Sequence, residues 1–206
     1  MKQRWLSRTG TAEVQLVFGG WALGPGPFQC LTGNADVLFV DDYTRLDEPL
    51  SDISNYDRVT LIAFSFGVAS AAHWLAQTKV RPDRLIAISG TLHPADVERG
   101  IAPEIIRATA DQLSSASFAK FFRRAGLDGS PPEIDIDAAR TELYAIIKRG
   151  PAPDHKFNRI WIPQQDRIIP TPAQQAAWAE HQDAVRTVPT AHVPFAKGQS
   201  WQEWIA

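Results

Sequence analysis

The sequence predicts an α/β protein, a mostly parallel sheet covered by helices, with a helical insertion late in the chain. Two observations carry this. Short apolar runs, most of them stopped by Gly, Asp or Pro, recur at 14–18, 35–40, 59–64, 84–88, 159–162 and 184–188, the length and composition of buried strands. Stretches with one apolar helical face stand between them, and strands alternating with helices need crossover connections, which make neighbouring strands parallel.

The elements follow in order. Residues 3–7 give a weaker strand, joined through Thr9-Gly10 to the run 14–18, which ends in Gly19-Gly20-Trp21. The run 35–40 stops at Asp41-Asp42, and 59–64 leads through Ser65 into a helix over 66–78, where Val68, Ala71, Ala72 and Leu75 share one face. The run 84–88 ends at Ser89-Gly90. Residues 159–162 stop at Pro163, a helix spans 172–181, and the last strand, 184–188, stops at Pro189. Between the fourth and fifth of the firm strands, 94–153 has no strand pattern; helices are expected over 105–124 and 138–148, separated by the breaker-rich Gly126-Leu-Asp-Gly-Ser-Pro-Pro132. Such an insertion would sit as a cap over the carboxyl edge of the sheet, within a single domain spanning 1–206.

Composition excludes several classes. Hydrophobic residues at 44% and charged ones at 21% give an ordinary globular balance, and a net charge of −2 offers no global attraction for nucleic acid or an anionic membrane. The lone Cys30 cannot form an internal disulfide, the first residues hold no apolar run of signal-peptide length, and nowhere do 18 apolar residues follow one another. A cytoplasmic protein is expected. Neither Gly-x-Gly-x-x-Gly nor a Gly-Lys-Ser/Thr loop occurs, and histidines and acids lack metal-ligand spacing, so no cofactor is expected.

Chemistry is carried by Ala63-Phe-Ser-Phe-Gly67, a strand-to-helix turn with a serine at its tip. Small residues two positions either side allow a turn tight enough to lift the hydroxyl clear of the sheet. A serine needs a base to take its proton, and the base needs an acid to orient it; on this kind of elbow both follow the serine, acid first. Asp166 follows the strand 159–162, and His192 follows the last strand. Asp154 and Asp183 are alternatives for the acid, though neither immediately follows the relevant strand. The oxyanion donors expected are the backbone N–H of Phe66, next to the nucleophile, and that of Trp21 in the loop after the strand 14–18.

With these residues in place the chain resembles the α/β-hydrolases, and more narrowly the BioG-type pimeloyl-[acyl-carrier protein] methyl ester esterases of biotin synthesis. The resemblance rests on Phe18-Gly-Gly-Trp-Ala-Leu-Gly24, Pro27-Phe28, Asp41-Asp-Tyr43, Leu61-Ile-Ala-Phe-Ser-Phe-Gly-Val68, Gly90-Thr-Leu-His-Pro94, Gly100-Ile101, Phe121-Phe-Arg-Arg124 and Glu142-Leu143. It implies a compact α/β-hydrolase fold, and hydrolysis of a methyl ester on a pimeloyl chain held by an acyl-carrier protein. Carrier proteins are acidic, so Arg107, Lys120, Arg123 and Arg124 would steer that partner, while Phe118, Phe121, Phe122 and Tyr144 would line the acyl path. Other readings are a general short-chain esterase, a thioesterase acting at the other end of the acyl chain, or a catalytically silent hydrolase-like binding module.

Overall fold

The computed structural model describes residues 1–50 and 53–206. Seven strands, β1 (Lys2–Ser7), β2 (Glu13–Phe18), β3 (Asp36–Asp41), β4 (Arg58–Phe64), β5 (Arg84–Ile88), β6 (Arg159–Pro163) and β7 (Val185–Val188), form one sheet in the order β1-β3-β2-β4-β5-β6-β7. β1 runs antiparallel to β3; all other neighbours are parallel. The mostly parallel sheet expected from the apolar runs is therefore the one observed.

Alternate side chains of each central strand enter opposite cores, as the period-two pleat requires. Leu16, Phe18, Leu61 and Ala63 pack with Val68, Ala72, Trp74 and Leu75 of α1 (Gly67–Gln77), while Val17, Ile62 and Phe64 pack with Phe28, Trp201 and Trp204 on the other face. Burial on both faces explains why these strands read as continuous apolar runs instead of alternating ones.

Three helices lie between β5 and β6: α2 (Pro103–Asp111), α3 (Ser115–Arg124) and α4 (Ile136–Arg149). They close a third apolar cluster, in which Ile106, Phe118 and Leu143 pack on Trp21 and Phe66 at the carboxyl edge of the sheet. The single helix expected over 105–124 is two helices. Ser114 caps α3 by accepting the Ser117 N–H at 3.2 Å while Ser117 Oγ accepts the Ser114 N–H at 2.9 Å, a reciprocal cap that ends one helix and starts another. The helix expected over 172–181 is also divided, into α5 (Thr171–Ala177) and a 3-10 turn, Ala179–His181.

The C-terminal helix α6 (Trp201–Ile205) was not expected. Its signal was present: Ser200 and Glu203 form a capping box, with Glu203 Oε1 accepting the Ser200 N–H at 2.8 Å. Among the described residues no helix is long and apolar enough to cross a membrane.

Candidate active site

The order of strands reverses direction around β2, so the loops after β2 and β4 leave the sheet side by side at its carboxyl edge, where open parallel sheets bind ligands. Ser65 follows β4 directly with φ of 57°, a left-handed conformation that side chains rarely adopt and that functional turns hold under constraint. Its N–H donates to the Ile88 carbonyl at 2.9 Å. Glycine is needed at two neighbouring positions for space: a Cβ on Gly67 would collide with the Phe18 and Gly19 carbonyl oxygens, and one on Gly90 with the Ser65 carbonyl oxygen. Ala63 is fully buried in β4, beside Phe18 of β2 and Ala87 of β5.

Ser65, His192 and Asp166 come together. His192 Nε2 lies 2.9 Å from Ser65 Oγ, and its Nδ1 lies 2.7 Å from Asp166 Oδ2. His192 is fully buried, and its ring packs against Phe64 at 5.1 Å between centroids. The loops that carry the pair are tied to each other by the Gln165 N–H, which donates to the Thr190 carbonyl at 3.0 Å, and the His192 loop is tied to the end of α3 by the Val193 N–H, which donates to the Ala125 carbonyl at 2.9 Å. Four donors converge on Asp166. Oδ1 accepts the N–H groups of Ile168 and Ile169 at 2.8 and 3.0 Å, and Oδ2 accepts Gln174 Nε2 at 2.8 Å besides the His192 ring. Orientation of the imidazole by a fixed carboxylate is the arrangement that lets a histidine accept a serine proton. The two alternative acids lie elsewhere: Asp154 is 3.2 Å from His181 Nε2, and the Asp183 carbonyl accepts from Arg186.

Trp21 and Phe66 border the same cavity as Ser65, a space of about 60 Å³. Among the described residues neither backbone N–H donates to a backbone acceptor. The Trp21 indole N–H donates to the Ala139 carbonyl of α4 at 2.9 Å, which fixes the ring as a wall. Ile101, Ile105, Ile106, Leu143 and Ile168 make most of the rest of the lining apolar, Thr109 adds a hydroxyl and Arg124 a charge.

The insertion's residues separate by position. Phe121 and Arg124 border the Ser65 cavity; Phe118 meets the Trp21 ring edge-on at 6.2 Å. Phe122 is buried in the cluster around Phe28 and Trp201. The Tyr144 hydroxyl donates to the Asp111 carboxylate, and the residue is exposed, off the cavity wall. Arg107, Lys120 and Arg123 are exposed. Among the described residues no group of three or more His, Cys, Asp or Glu is placed to hold a metal ion.

Sequence reasoning missed Gln174, and quoted Glu142 only among the residues that carry the resemblance, with no role at the site. Both are buried polar residues on helices, and a polar residue in a helical pattern reads as solvated until the tertiary neighbours are known.

Comparison with known proteins places these features. The family described as "Pimeloyl-ACP methyl esterase BioG" matches residues 1–204. The structure of BioG from Haemophilus influenzae superposes with a TM-score of 0.87 at 26% identity, covering 100% of both chains. A "Malonyl-[acyl-carrier protein] O-methyltransferase" of Bacteroides fragilis is 31% identical over 87% of this chain, which spans only 39% of that protein. A lipase-esterase related protein from Clostridium acetobutylicum shares the fold, with a TM-score of 0.65 at 11% identity over 93% of this chain and 91% of its own.

Proposed function

The chain belongs to the BioG family of pimeloyl-ACP methyl esterases, and from that premise we propose that it hydrolyses the methyl ester of a pimeloyl chain carried on acyl-carrier protein, releasing methanol. The observation that carries the reading is the buried hydrogen-bond chain from Ser65 through His192 to Asp166.

Ser65 Oγ attacks the ester carbonyl as His192 Nε2 takes its proton, forming a tetrahedral oxyanion that the Trp21 and Phe66 N–H groups stabilise. The bond from carbon to the methoxy oxygen breaks, and His192 returns the proton so that methanol leaves. Water then attacks the acyl-serine, losing a proton to His192; collapse restores the Ser65 hydroxyl and frees the carboxylic acid. Asp166 holds the ring throughout and compensates its positive charge.

The insertion 94–153 acts as the cap of this site. Exposed Arg107, Lys120 and Arg123, with Arg124 at the cavity, are cations of the insertion suited to steering an acidic carrier. Both the family description and the Bacteroides fragilis relative's name concern methyl groups and acyl-carrier-bound chains, which favours a carrier-bound ester over a free one.

The test is to present methyl pimeloyl-carrier protein and identify the products by mass. Methanol with pimeloyl-carrier protein supports the reading; free carrier protein would identify a thioesterase instead. Ser65→Ala should abolish turnover while leaving carrier binding intact, and failure of folded parent protein to react with a fluorophosphonate probe would favour a silent binding module.

A further inference from the structure

Glu142 stands on α4, 7% exposed, and its Oε1 accepts the backbone N–H of Tyr43 at 3.0 Å. Tyr43 follows β3 and is wholly buried. Its hydroxyl lies 2.8 Å from the Gly19 carbonyl oxygen and 3.1 Å from that of Val40, and its ring stacks on Phe18 with planes 5° apart. Two further bonds join α4 to the same region: Arg149 Nη2 donates to the Tyr43 carbonyl at 2.6 Å, and Ala139 accepts the Trp21 indole N–H at 2.9 Å. Helix α4 therefore grips the Gly19-Gly20-Trp21 loop at one end through the Trp21 ring and at the other through Tyr43.

We propose that Glu142 is a positioning residue for ester hydrolysis: by holding Tyr43 it fixes the backbone of the Gly19-Gly20-Trp21 loop, and with it the Trp21 N–H. The inference rests on reading that N–H as an oxyanion donor. Oxyanion stabilisation needs donors that are already aimed, and their aim depends on supporting hydrogen bonds outside the reacting groups. A leucine would fill the Glu142 position without the cost of a buried carboxyl, but it would leave the Tyr43 N–H without its acceptor.

The ionisation of Glu142 gives the idea a distinctive readout. Burial pushes its carboxyl up to about 7; Asp42 and Asp41 at the end of β3 push the same way, while the Tyr43 N–H and Lys2 of β1 oppose them. Arg149 faces it from α4. The carboxyl borders an open cavity of about 740 Å³, shared with Arg4 and Asp135, so protons can reach it. The ionised carboxylate accepts the Tyr43 N–H more strongly than the neutral acid does. Glutamine reproduces the neutral acceptor at every pH.

The experiment compares full-length parent, Glu142→Gln and Glu142→Leu on p-nitrophenyl acetate from pH 5.5 to 9, with melting temperatures recorded alongside. The ratio of parent to Gln kcat cancels every pH effect the two proteins share; it should be near one at pH 5.5 and climb through pH 7 to about threefold. Glu142→Leu should lose about tenfold in kcat at pH 8, less than removal of an oxyanion donor costs, with KM nearly unchanged. A ratio independent of pH, or a loss expressed only in KM, overturns the positioning role. Should Glu142→Leu fail to fold, the Gln ratio decides alone. Activity that survives Ser65→Ala overturns the nucleophile reading and this inference with it, whereas Ser65-dependent activity indifferent to both Glu142 changes overturns this inference only.

Discussion

Gln174 Nε2 donates to Asp166 Oδ2 at 2.8 Å, the same carboxylate oxygen that faces His192 Nδ1 at 2.7 Å. The amide also donates to the Ile169 carbonyl at 2.8 Å, so it joins the acid's side chain to the acid's own loop. Replacing Gln174 by Leu removes both bonds inside a fully buried site. We expect kcat to fall by about tenfold with KM little changed, since a buried acceptor that loses its partner costs about 1–3 kcal/mol; steady-state kinetics on a small ester checks this.

Asp166→Asn keeps the shape of the acid but offers the His192 ring an amide, which favours the wrong tautomer. The expected loss in kcat is about 10⁴-fold with the fold intact. Circular dichroism and turnover measured on the same preparation check both halves.

Glu142 should make stability depend on pH in the sense opposite to a salt-bridged carboxylate. Burial pushes its carboxyl up to about 7 in the fold, from the ordinary value of 4.5 that the unfolded chain keeps. Between those values the folded state holds the proton and the unfolded state has released it, so stability falls as pH rises from 4.5 to 7 and levels off above. In urea titrations across that range, Glu142→Gln should gain on the parent by on the order of 3 kcal/mol.

Gly90→Ala places a methyl group against the Ser65 carbonyl oxygen and the Val68 side chain. The elbow must shift to admit it. We expect a stability loss of about 1–3 kcal/mol and a larger fractional loss of activity, read by thermal melts and by the rate of fluorophosphonate labelling.

How much of this was legible in the sequence depends on what each residue answers to. The strands were legible because burial on both faces leaves unbroken apolar runs such as Leu61 to Phe64, and such runs are too short for helices. Ser65, Asp166 and His192 were legible because each role demands a residue type at the end of a particular strand, and the chain order narrows the choice. The partner of β1 was not: it pairs with β3, not with the strand that follows it in sequence, and pairing across an intervening strand leaves no local trace. The break at Ser114 was hidden because its cap is completed by Ser117 instead of the usual Glu or Gln. Helix α6 is five residues long, too short for periodicity to declare it. The roles of Gln174 and Glu142 escaped for a different reason, since they lie entirely in acceptors and donors brought close by the fold.

Ser65 and His192 are 127 residues apart along the chain, on loops after the central strand β4 and the edge strand β7. In kinetic terms, parallel strands pair only after long stretches of chain have been closed into loops, which makes such folds slow to form. The hydroxyl cannot gain its base until β6 and β7 have docked, however early β2, β4 and α1 come together. A partly folded or truncated chain thus carries an unactivated serine. Recovery of esterase activity on refolding will therefore time the docking of the last two strands, not the collapse of the first core.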